Sequence, residues 1–241
     1  MMLLRKLVLF GLIGVGLAGC FDLDQGVWIG RDGSGHYDMT IAAGGALGEA
    51  LKSGKSDVHI GNNPNLPRHQ RTVIEGGKVT QIESVDFKQL SDLSLSNETV
   101  AIKVHGHDLF GLGTTHAIFR RTFQIDHEMR KRGQHEEGDD EAGRSVIASM
   151  FGDHTYVFRV HLPGSIDWIA PVYAGGLEVK PEVKADAGGY DIVWRMPLTS
   201  MIETRAMHFS VGFSSFGALG DSQSREEENS ADDDGDDDRK N

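Results

Sequence analysis

Apolar and polar residues alternate with a period of two along most of the chain, which is typical of β-strands with one buried face. In HYDMTI, positions 36–41, the apolar residues are Tyr37, Met39 and Ile41, and the residues between them are polar. The segment GVWIG and the turn RDGSG come directly before it. Together these segments predict a β-hairpin with one buried face.

The same alternation recurs after a glycine-rich stretch, for which we predict a short helix over 46–52. RTVIE and KVTQIESVDF flank two glycines at 76 and 77 and predict a second hairpin, and ETVAIKVHG with THAIFRRTFQI predicts a third strand pair. Four later segments supply the remaining strands: TYVFRVHLPG, LEVKPEV, YDIVWRMPL and RAMHFSVGF. About nine strands and one or two short helices predict an α+β fold built mainly on antiparallel β-sheet, with barrel-like closure as an open alternative.

Two polar segments interrupt or end this pattern. The first, 126–144, begins with a basic cluster, turns acidic and contains two glycines, so we interpret it as an exposed insertion within one domain, 20–220. A linker between two halves is the alternative, but the same periodicity on both sides favours one domain. The second, 221–241, has ten acidic and three basic residues and no apolar periodicity, which predicts a disordered tail. A net charge of −12 argues against nucleic acid as a partner.

The N-terminal segment has the features of an export signal. Arg5 and Lys6 precede eleven apolar residues, 7–17, and small residues follow. An eleven-residue helix is about 16 Å long, roughly half of a bilayer's hydrocarbon core, so a permanent spanning helix is not expected. The chain's single cysteine, Cys20, comes directly afterwards in LAGC. It cannot form an internal disulfide, so another role must explain its position.

The LAGC segment resembles the lipobox of bacterial lipoproteins. The resemblance implies that signal peptide 1–19 is removed and that Cys20 becomes the lipidated N-terminus, holding the protein on a membrane outside the cytoplasm. Two or more acyl chains are enough for stable anchoring. The same resemblance implies that Asp directly after the cysteine retains a lipoprotein at the inner membrane of a Gram-negative cell. Here that residue is Phe21, which favours the outer membrane. An ordinary secretory signal with a chance cysteine is the alternative.

The order of several short motifs resembles the LppM-type domain of bacterial envelope lipoproteins. After the lipobox come the DGSG turn, VDFKQLSDL in mid-chain, HLPG at 161–164 and VWRMPL at 193–198. The resemblance covers most of 20–220 and omits the insertion and the tail. It implies a mixed antiparallel β-sheet domain outside the cytoplasm that binds a lipid or an envelope partner. It identifies no catalytic residues.

Eleven histidines make a metal site worth testing, and HGHD at 105–108 is the strongest candidate. On a strand, His105 and His107 would share a face, and His116 on the next strand would lie across from them. The alternative is a solvent-facing strand end, since no HExxH-like element supports a site. His59, His69, His154 and His161 stand singly, and we interpret them as surface or hydrogen-bonded residues. The tail's DDDGDDD lacks the ligand spacing of a Ca²⁺ loop, and we predict no cofactor.

The remaining candidates are a carboxylate pair and a set of apolar residues. Asp22 and Asp24 share a strand face, which fits either an acid–base pair or solvation of the chain where it leaves the bilayer. The apolar residues that fit either a core or a groove for an acyl chain are Trp168, Ile169, Val172, Tyr173, Trp194, Met196 and Leu198. We favour the core.

These observations predict a non-catalytic envelope lipoprotein that binds a lipid or other apolar ligand, or an envelope protein. The lipid hypothesis expects a cavity opening near Cys20, and the protein hypothesis expects an apolar surface patch. The alternative from another class is a metal-dependent extracytoplasmic enzyme with a site at His105 and His107.

Overall fold

A computed structural model describes residues 21–53, 63, 65–95, 98–107, 113–124, 152, 154–186, 188–216, 219–223 and 225–226. The signal segment 1–19, Cys20, the insertion 126–144 and residues 227–241 lie outside these ranges. Among the described residues, no helix has the length and apolar character needed to cross a membrane.

Strands account for most of the described chain. In chain order they are β1 (Phe21–Ile29), β2 (Gly35–Ala43), β3 (Arg68–Glu75), β4 (Lys78–Phe87), β5 (Ser94–Leu95), β6 (Glu98–His107), β7 (Thr114–Gln124), β8 (Thr155–Pro163), β9 (Ser165–Ile169), β10 (Val172–Ala174), β11 (Leu177–Val179), β12 (Glu182–Asp186), β13 (Gly189–Pro197), β14 (Ala206–Phe216), β15 (Ser222–Gln223) and β16 (Arg225–Glu226). The helices are α1 (Gly45–Lys52), a 3₁₀ turn at Leu90–Asp92, and α2 (Leu198–Glu203).

Most of these strands form two large sheets. One has seven strands in the order β12-β13-β8-β1-β2-β4-β3, and the other has five in the order β15-β6-β7-β14-β9. Strands β10 and β11 form a separate hairpin, and β5 pairs with β16. The structure confirms the predicted α+β class with mainly antiparallel sheets. In the described chain the large sheets keep open edges, so the barrel-like alternative is not the one adopted.

The turn glycines explain the two N-terminal hairpins. Strands β1 and β2 pair from Phe21↔Ala43 to Ile29↔Gly35, as the alternation in HYDMTI predicts. Strands β3 and β4 are joined at Gly76 and Gly77, whose φ values of 57° and 79° lie in the left-handed region that two-residue hairpin turns require. Local pattern and turn chemistry therefore place these strands correctly.

The pairing of β1 with β8 differs from the expected antiparallel pattern. The two strands run parallel, with Leu23 opposite Tyr156 and Trp28 opposite His161. They are far apart in sequence, and alternation reports which face is buried but carries no information on strand direction. This parallel pair makes β1 the central strand of the seven-stranded sheet.

A continuous hydrophobic core lies between the inner faces of the two sheets. Tyr37, Met39 and Ile41 are buried there, as the alternation predicts. Phe158 and Trp194 of the seven-stranded sheet stack at 5.6 Å between ring centroids. Phe209 of the five-stranded sheet contacts Phe158 at 4.7 Å, so aromatic contacts join the two sheets.

The C-terminal boundary lies later than predicted. Residues from 221 onward are predicted to be a disordered tail, yet Ser222 and Gln223 pair with Ile102 and Ala101 of β6. The Asp221 carboxylate also accepts a hydrogen bond from the Val104 amide at 2.6 Å. Backbone pairing and this side-chain acceptor therefore join residues 221–223 to strand β6.

Candidate functional site

A group of polar side chains lies buried between the two sheets. Gln25, Tyr37 and Tyr156 come from the seven-stranded sheet, and Glu98 and Arg121 come from the five-stranded sheet; all five are buried. We call these residues the Arg121 cluster. Their positions on inward-facing strand sites explain why polar groups reach the centre of the core.

Hydrogen bonds connect every member of the Arg121 cluster. The Arg121 guanidinium donates to the carboxylate of Glu98, the hydroxyl of Tyr156 and the amide oxygen of Gln25. The Tyr156 hydroxyl donates to Gln25 Oε1 at 2.7 Å. The Tyr37 hydroxyl donates to Glu98 Oε1 at 2.6 Å. A buried charge is tolerated when it is paired and hydrogen-bonded in this way.

Burial and the ion pair both shift the pKa values of this cluster. Burial raises the pKa of Tyr156 to about 12, although the Arg121 charge opposes the increase. Burial and then the Glu98 charge raise the pKa of Tyr37 well above its ordinary value. Burial alone would lower the pKa of Arg121, but the Glu98 carboxylate and the other acidic groups around it outweigh burial and the pKa is raised. Both tyrosines are therefore neutral donors at physiological pH, and Arg121 is charged.

Aromatic rings surround the same guanidinium. The Arg121 Cζ atom lies 4.1 Å from the centroid of the Phe158 ring and 5.6 Å from that of Phe209. The Phe123 centroid lies at 5.3 Å. Arginine over an aromatic face is favourable when the pair is desolvated. The centre of the sandwich is thus occupied by a hydrogen-bonded polar network and its aromatic shell.

The apolar residues considered for a groove divide between the core and the surface. Val172, Trp194, Met196 and Leu198 are buried, which confirms the core interpretation for them. Trp168 and Tyr173 are exposed. The Trp168 indole lies over Gly212, where an added Cβ would overlap the ring at Nε1. Glycine at this position therefore lets the indole lie flat against the sheet.

The three histidines predicted as metal ligands lie on neighbouring strands but are not placed as expected. A register shift between Val104 and Gly106 puts Gly106, rather than a histidine, opposite His116. His105 is exposed within this irregular segment. His107 lies opposite Thr115 in the register. A single extra residue in β6 thus offsets the regular alternation on which the prediction depends.

His116 instead belongs to a polar group on the outer face of the five-stranded sheet. Its Nδ1 lies 2.9 Å from the Ser214 hydroxyl, which donates to the Asp167 carboxylate at 2.6 Å. The histidine does not stand between serine and carboxylate, as it must to relay a proton from a serine nucleophile. We interpret the group as cross-strand hydrogen bonding on an exposed sheet.

A different group brings metal-ligating atoms together. His161 on β8, Asp191 on β13 and Asp186 on β12 place their ligand atoms within 4.8 Å of one another in the described chain. His161 Nδ1 lies 2.7 Å from an Asp191 oxygen. The sequence does not group His161 with the two aspartates, because they come from two other strands. It shows only part of this group, since Asp186 and Asp191 lie close together in the β12–β13 hairpin.

Asp22 and Asp24 each contact a different cation. Lys78 Nζ donates to Asp22 at 2.8 Å, and Arg159 donates to Asp24. Burial opposes ionisation of Asp22, but hydrogen bonds from Lys78 and Thr155 outweigh it, so its pKa is lowered. Burial exceeds the effect of Arg159 at Asp24 and raises its pKa. The two carboxylates therefore have separate cationic partners, Lys78 for Asp22 and Arg159 for Asp24.

The first described residue joins the predicted anchor to the fold. Phe21 begins the central strand β1, immediately after Cys20. Its amide donates to His154 Nδ1 at 3.2 Å, and the His154 carbonyl accepts the first amide of α2, that of Leu198, at 2.8 Å. The chain therefore enters the sandwich with no linker between Cys20 and the sheet.

Comparison with known proteins gives a distant structural resemblance. No protein-family model matches the chain, and no curated protein matches it. The NMR structure of the folded domain of LppM from Mycobacterium tuberculosis matches with a TM-score of 0.39 and 10% sequence identity, over 81% of this chain and 90% of that one. The predicted resemblance to an LppM-type domain is thus confirmed only as a distant structural likeness.

Proposed function

We propose that the chain is a non-catalytic envelope lipoprotein, anchored outside the cytoplasm through acylated Cys20, that binds an envelope protein through its surface. The outer membrane's periplasmic side is the proposed location in a Gram-negative cell, since Phe21 follows the cysteine. The β-sandwich serves as a rigid platform in this function.

The observation that carries this proposal is the Arg121 cluster. An acyl chain within the sandwich would have to displace a guanidinium, a carboxylate and two tyrosine hydroxyls that bond one another. Separating these groups would leave buried charges without partners, which costs several kcal/mol. Binding at the surface requires no such separation, so it is favoured over a central lipid cavity.

The surface offers exposed apolar side chains that suit a protein partner. Trp168, Val183 and Phe216 are exposed, and Trp168 lies beside polar groups of the five-stranded sheet. Aromatic residues next to polar groups are enriched at protein interfaces. We therefore propose the outer face of the five-stranded sheet, around Trp168 and Phe216, as the first region to test for partner binding.

The experiment uses photo-crosslinking in intact cells. A photoreactive amino acid replaces Trp168 or Phe216 in the full-length chain, with Thr72 on the edge strand β3 as an exposed control position. We expect a discrete crosslinked protein from 168 and 216 and none from 72. Equal labelling from all three positions would contradict specific recognition by this face.

Lipid binding is tested separately. Residues 21–226, exported behind a cleavable signal and lacking Cys20, are analysed by native mass spectrometry and solvent extraction. The proposal expects no stoichiometric lipid. A lipid bound one-to-one would overturn surface protein binding as the main function and restore the carrier hypothesis.

A metal-dependent enzyme is the second candidate function, because His161, Asp186 and Asp191 lie close together. One imidazole and two carboxylates are suitable ligands for Zn²⁺, and open coordination positions would be needed for catalysis. This candidate requires Zn²⁺ binding that His161→Ala abolishes and His105→Ala preserves, together with a metal-dependent activity. Zn²⁺ binding equal in both variants would exclude this site.

A further inference from the structure

The position of the anchor relative to the sheet restricts which part of the domain can face the bilayer. Cys20 and Phe21 are adjacent residues, so their Cα atoms are about 3.8 Å apart. Phe21 is the first residue of β1, the central strand of the seven-stranded sheet. This step rests on the proposed acylation of Cys20. An acyl chain on that residue would hold this end of the sandwich within a few ångströms of the headgroups.

The strand register identifies other residues at the same end. Phe21 pairs with Ala43, Ala43 with Val79, and Val79 with Ile74. These four residues form one row across four strands, which spans about 14 Å at 4.8 Å per strand. Ile74, at the end of the row, is 57% exposed. An isoleucine on an edge strand thus lies level with the anchor.

Helix α1 adds a second apolar side chain beside this row. A Cβ on Gly48 would lie 3.5 Å from Val79, so the helix packs against the row. Leu51 is in the core, whereas Leu47, one turn earlier on the same helix face, is 43% exposed. The apolar face of α1 therefore extends beyond the core. It does so at the end of the sandwich where β1 begins with Phe21, which we call the anchor end.

A third apolar side chain lies on the other side of β1. The Gly175 amide in the β10–β11 turn donates to the Thr204 hydroxyl at 2.9 Å, just after α2. Helix α2 itself begins against His154, which also contacts Phe21. Leu177 lies two residues beyond Gly175 and is 70% exposed. Exposed apolar residues therefore lie on both sides of the anchor.

The charges at this end do not favour an electrostatic attachment. Lys78 pairs with Asp22, and Lys52 lies 3.6 Å from Glu49. Glu75 is also exposed here. Both of these described lysines therefore have an acidic partner, so neither offers an unbalanced positive charge to an anionic membrane. The apolar side chains are suited to the interface of a zwitterionic lipid surface.

We propose that the end of the sandwich where β1 begins is a membrane-contacting face, with Leu47, Ile74 and Leu177 inserted at the bilayer interface. The acyl chains of Cys20 supply the affinity. The three side chains fix the orientation, so that the opposite end of the domain points away from the membrane.

The opposite end provides a matched control. Phe216 pairs with Thr114 at the start of β7, whereas the end of β7 lies at the anchor end, where Phe123 stacks on Tyr156 at 6.3 Å. An eleven-residue strand is about 35 Å long. Phe216 is 72% exposed and is therefore an apolar surface residue remote from the proposed interface.

The test measures the depth of fluorescent labels on the full-length, acylated protein. Because Cys20 is the single cysteine and its thiol would be acylated, Leu47→Cys, Ile74→Cys, Leu177→Cys and Phe216→Cys each add one reactive thiol. Each variant is labelled with an environment-sensitive fluorophore and bound to phosphatidylcholine vesicles. Some of the lipid acyl chains in these vesicles carry a nitroxide quencher. We expect about twofold or greater quenching at 47, 74 and 177, as for groups at the headgroup–acyl boundary, and little at 216.

The outcomes separate the inference from the proposed function. Intact mass and vesicle flotation establish whether the chain is acylated and bound. An acylated, floating protein with equal quenching at all four positions would overturn the membrane-contacting face alone. A chain without acyl mass would overturn the anchor, and the inference with it.

A second pair of variants tests the orientation by changing the proposed interface while the label stays at position 177. Leu47→Asp with Ile74→Asp places charges at two exposed sites of the proposed interface, and Phe216→Asp is the matched exposed control. With the label at 177, we expect the double variant to lose at least about half of its quenching, because charged groups avoid the interface. Unchanged quenching in the double variant would contradict the proposal.

Discussion

The Arg121 guanidinium and the Glu98 carboxylate form an ion pair at the centre of the sandwich, where both side chains are buried. Both residues belong to the five-stranded sheet. Their remaining hydrogen bonds go to Gln25, Tyr37 and Tyr156 of the seven-stranded sheet. The pair therefore contributes to the register of one sheet against the other as well as to the charge balance of the core.

Replacement of Arg121 by methionine tests this relationship. Arg121→Met leaves the Glu98 carboxylate buried without its cation, so we expect the free energy of unfolding to fall by about 3–5 kcal/mol. Urea denaturation of the 21–226 domain measures the change. Lys78→Met, which breaks the partly exposed pair with Asp22, should cost less than about 1 kcal/mol and serves as the control.

A double variant shows whether the loss comes from the unpaired charge. Arg121→Met with Glu98→Gln removes both charges, while the amide oxygen introduced by the second substitution can still accept the Tyr37 hydrogen bond. We expect it to be more stable than the sum of the two single variants predicts, by about 1–3 kcal/mol. Additive losses would mean that the two side chains are not coupled.

The buried tyrosines predict an alkaline loss of stability. Burial raises the pKa of Tyr156 to about 12, compared with about 10 in an unfolded chain. Between these values the unfolded state ionises while the folded state remains neutral. The stabilising contribution is complete below about pH 10 and decreases by about 1.4 kcal/mol per pH unit as pH rises towards 12.

Urea denaturation over this pH range measures the slope. Tyr156→Phe should lower stability at neutral pH, because the Arg121 and Gln25 hydrogen bonds are lost. It should also make the alkaline decline less steep, while Tyr37, whose pKa burial raises as well, still contributes to it. Tyr173→Phe, at an exposed position, should leave the profile unchanged. An equally steep decline in Tyr156→Phe would assign the alkaline transition to other groups.

The sequence predicts local elements better than it predicts their assembly. Alternation and the glycine turns correctly predict the first two hairpins and the buried positions of β2. The same alternation places Arg121 between Phe119 and Phe123 on an inward face, and this signal for a buried arginine is present in THAIFRRTFQI. A charged residue is seldom buried, so residue type alone favours a surface position.

The rest depends on contacts between distant strands. The parallel pairing of β1 and β8 and the meeting of His161 with Asp186 and Asp191 follow from sheet order, which periodicity does not encode. The displaced register near His105 follows from one extra residue in β6. Such irregularities change which side chains meet without changing the composition of the strand.

The contact between Gly212 and Trp168 predicts a coupled pair of substitutions. Gly212→Ala places a methyl group where the indole lies, so the ring must move, and we expect a loss of about 1–2 kcal/mol. In a Trp168→Ala background the same substitution should be close to neutral. Gly106→Ala, where a Cβ meets nothing within 4 Å, is the matched control and should be neutral or slightly stabilising. Urea denaturation of the four variants would reject the coupling if Gly212→Ala cost the same with and without the indole.

The pairing of β15 with β6 and of β16 with β5 predicts that the C-terminal boundary of the folded domain lies at Glu226. A chain ending at Gly220 loses the Asp221 acceptor of the Val104 amide and the pairing of Ser222 with Ile102. Each intramolecular hydrogen bond contributes about 1 kcal/mol, so we expect the chain ending at 220 to be less stable than the chain ending at 226 by about 1–3 kcal/mol.

Hydrogen exchange supplies a local measurement, because the Val104 and Ile102 amides should exchange faster in the shorter chain while those of β1 change only with global stability. Asp221→Asn in the longer chain keeps an acceptor oxygen and should preserve most of the protection. Equal exchange at Val104 in both truncated chains would place the end of the domain at 220, as the charge pattern alone predicts.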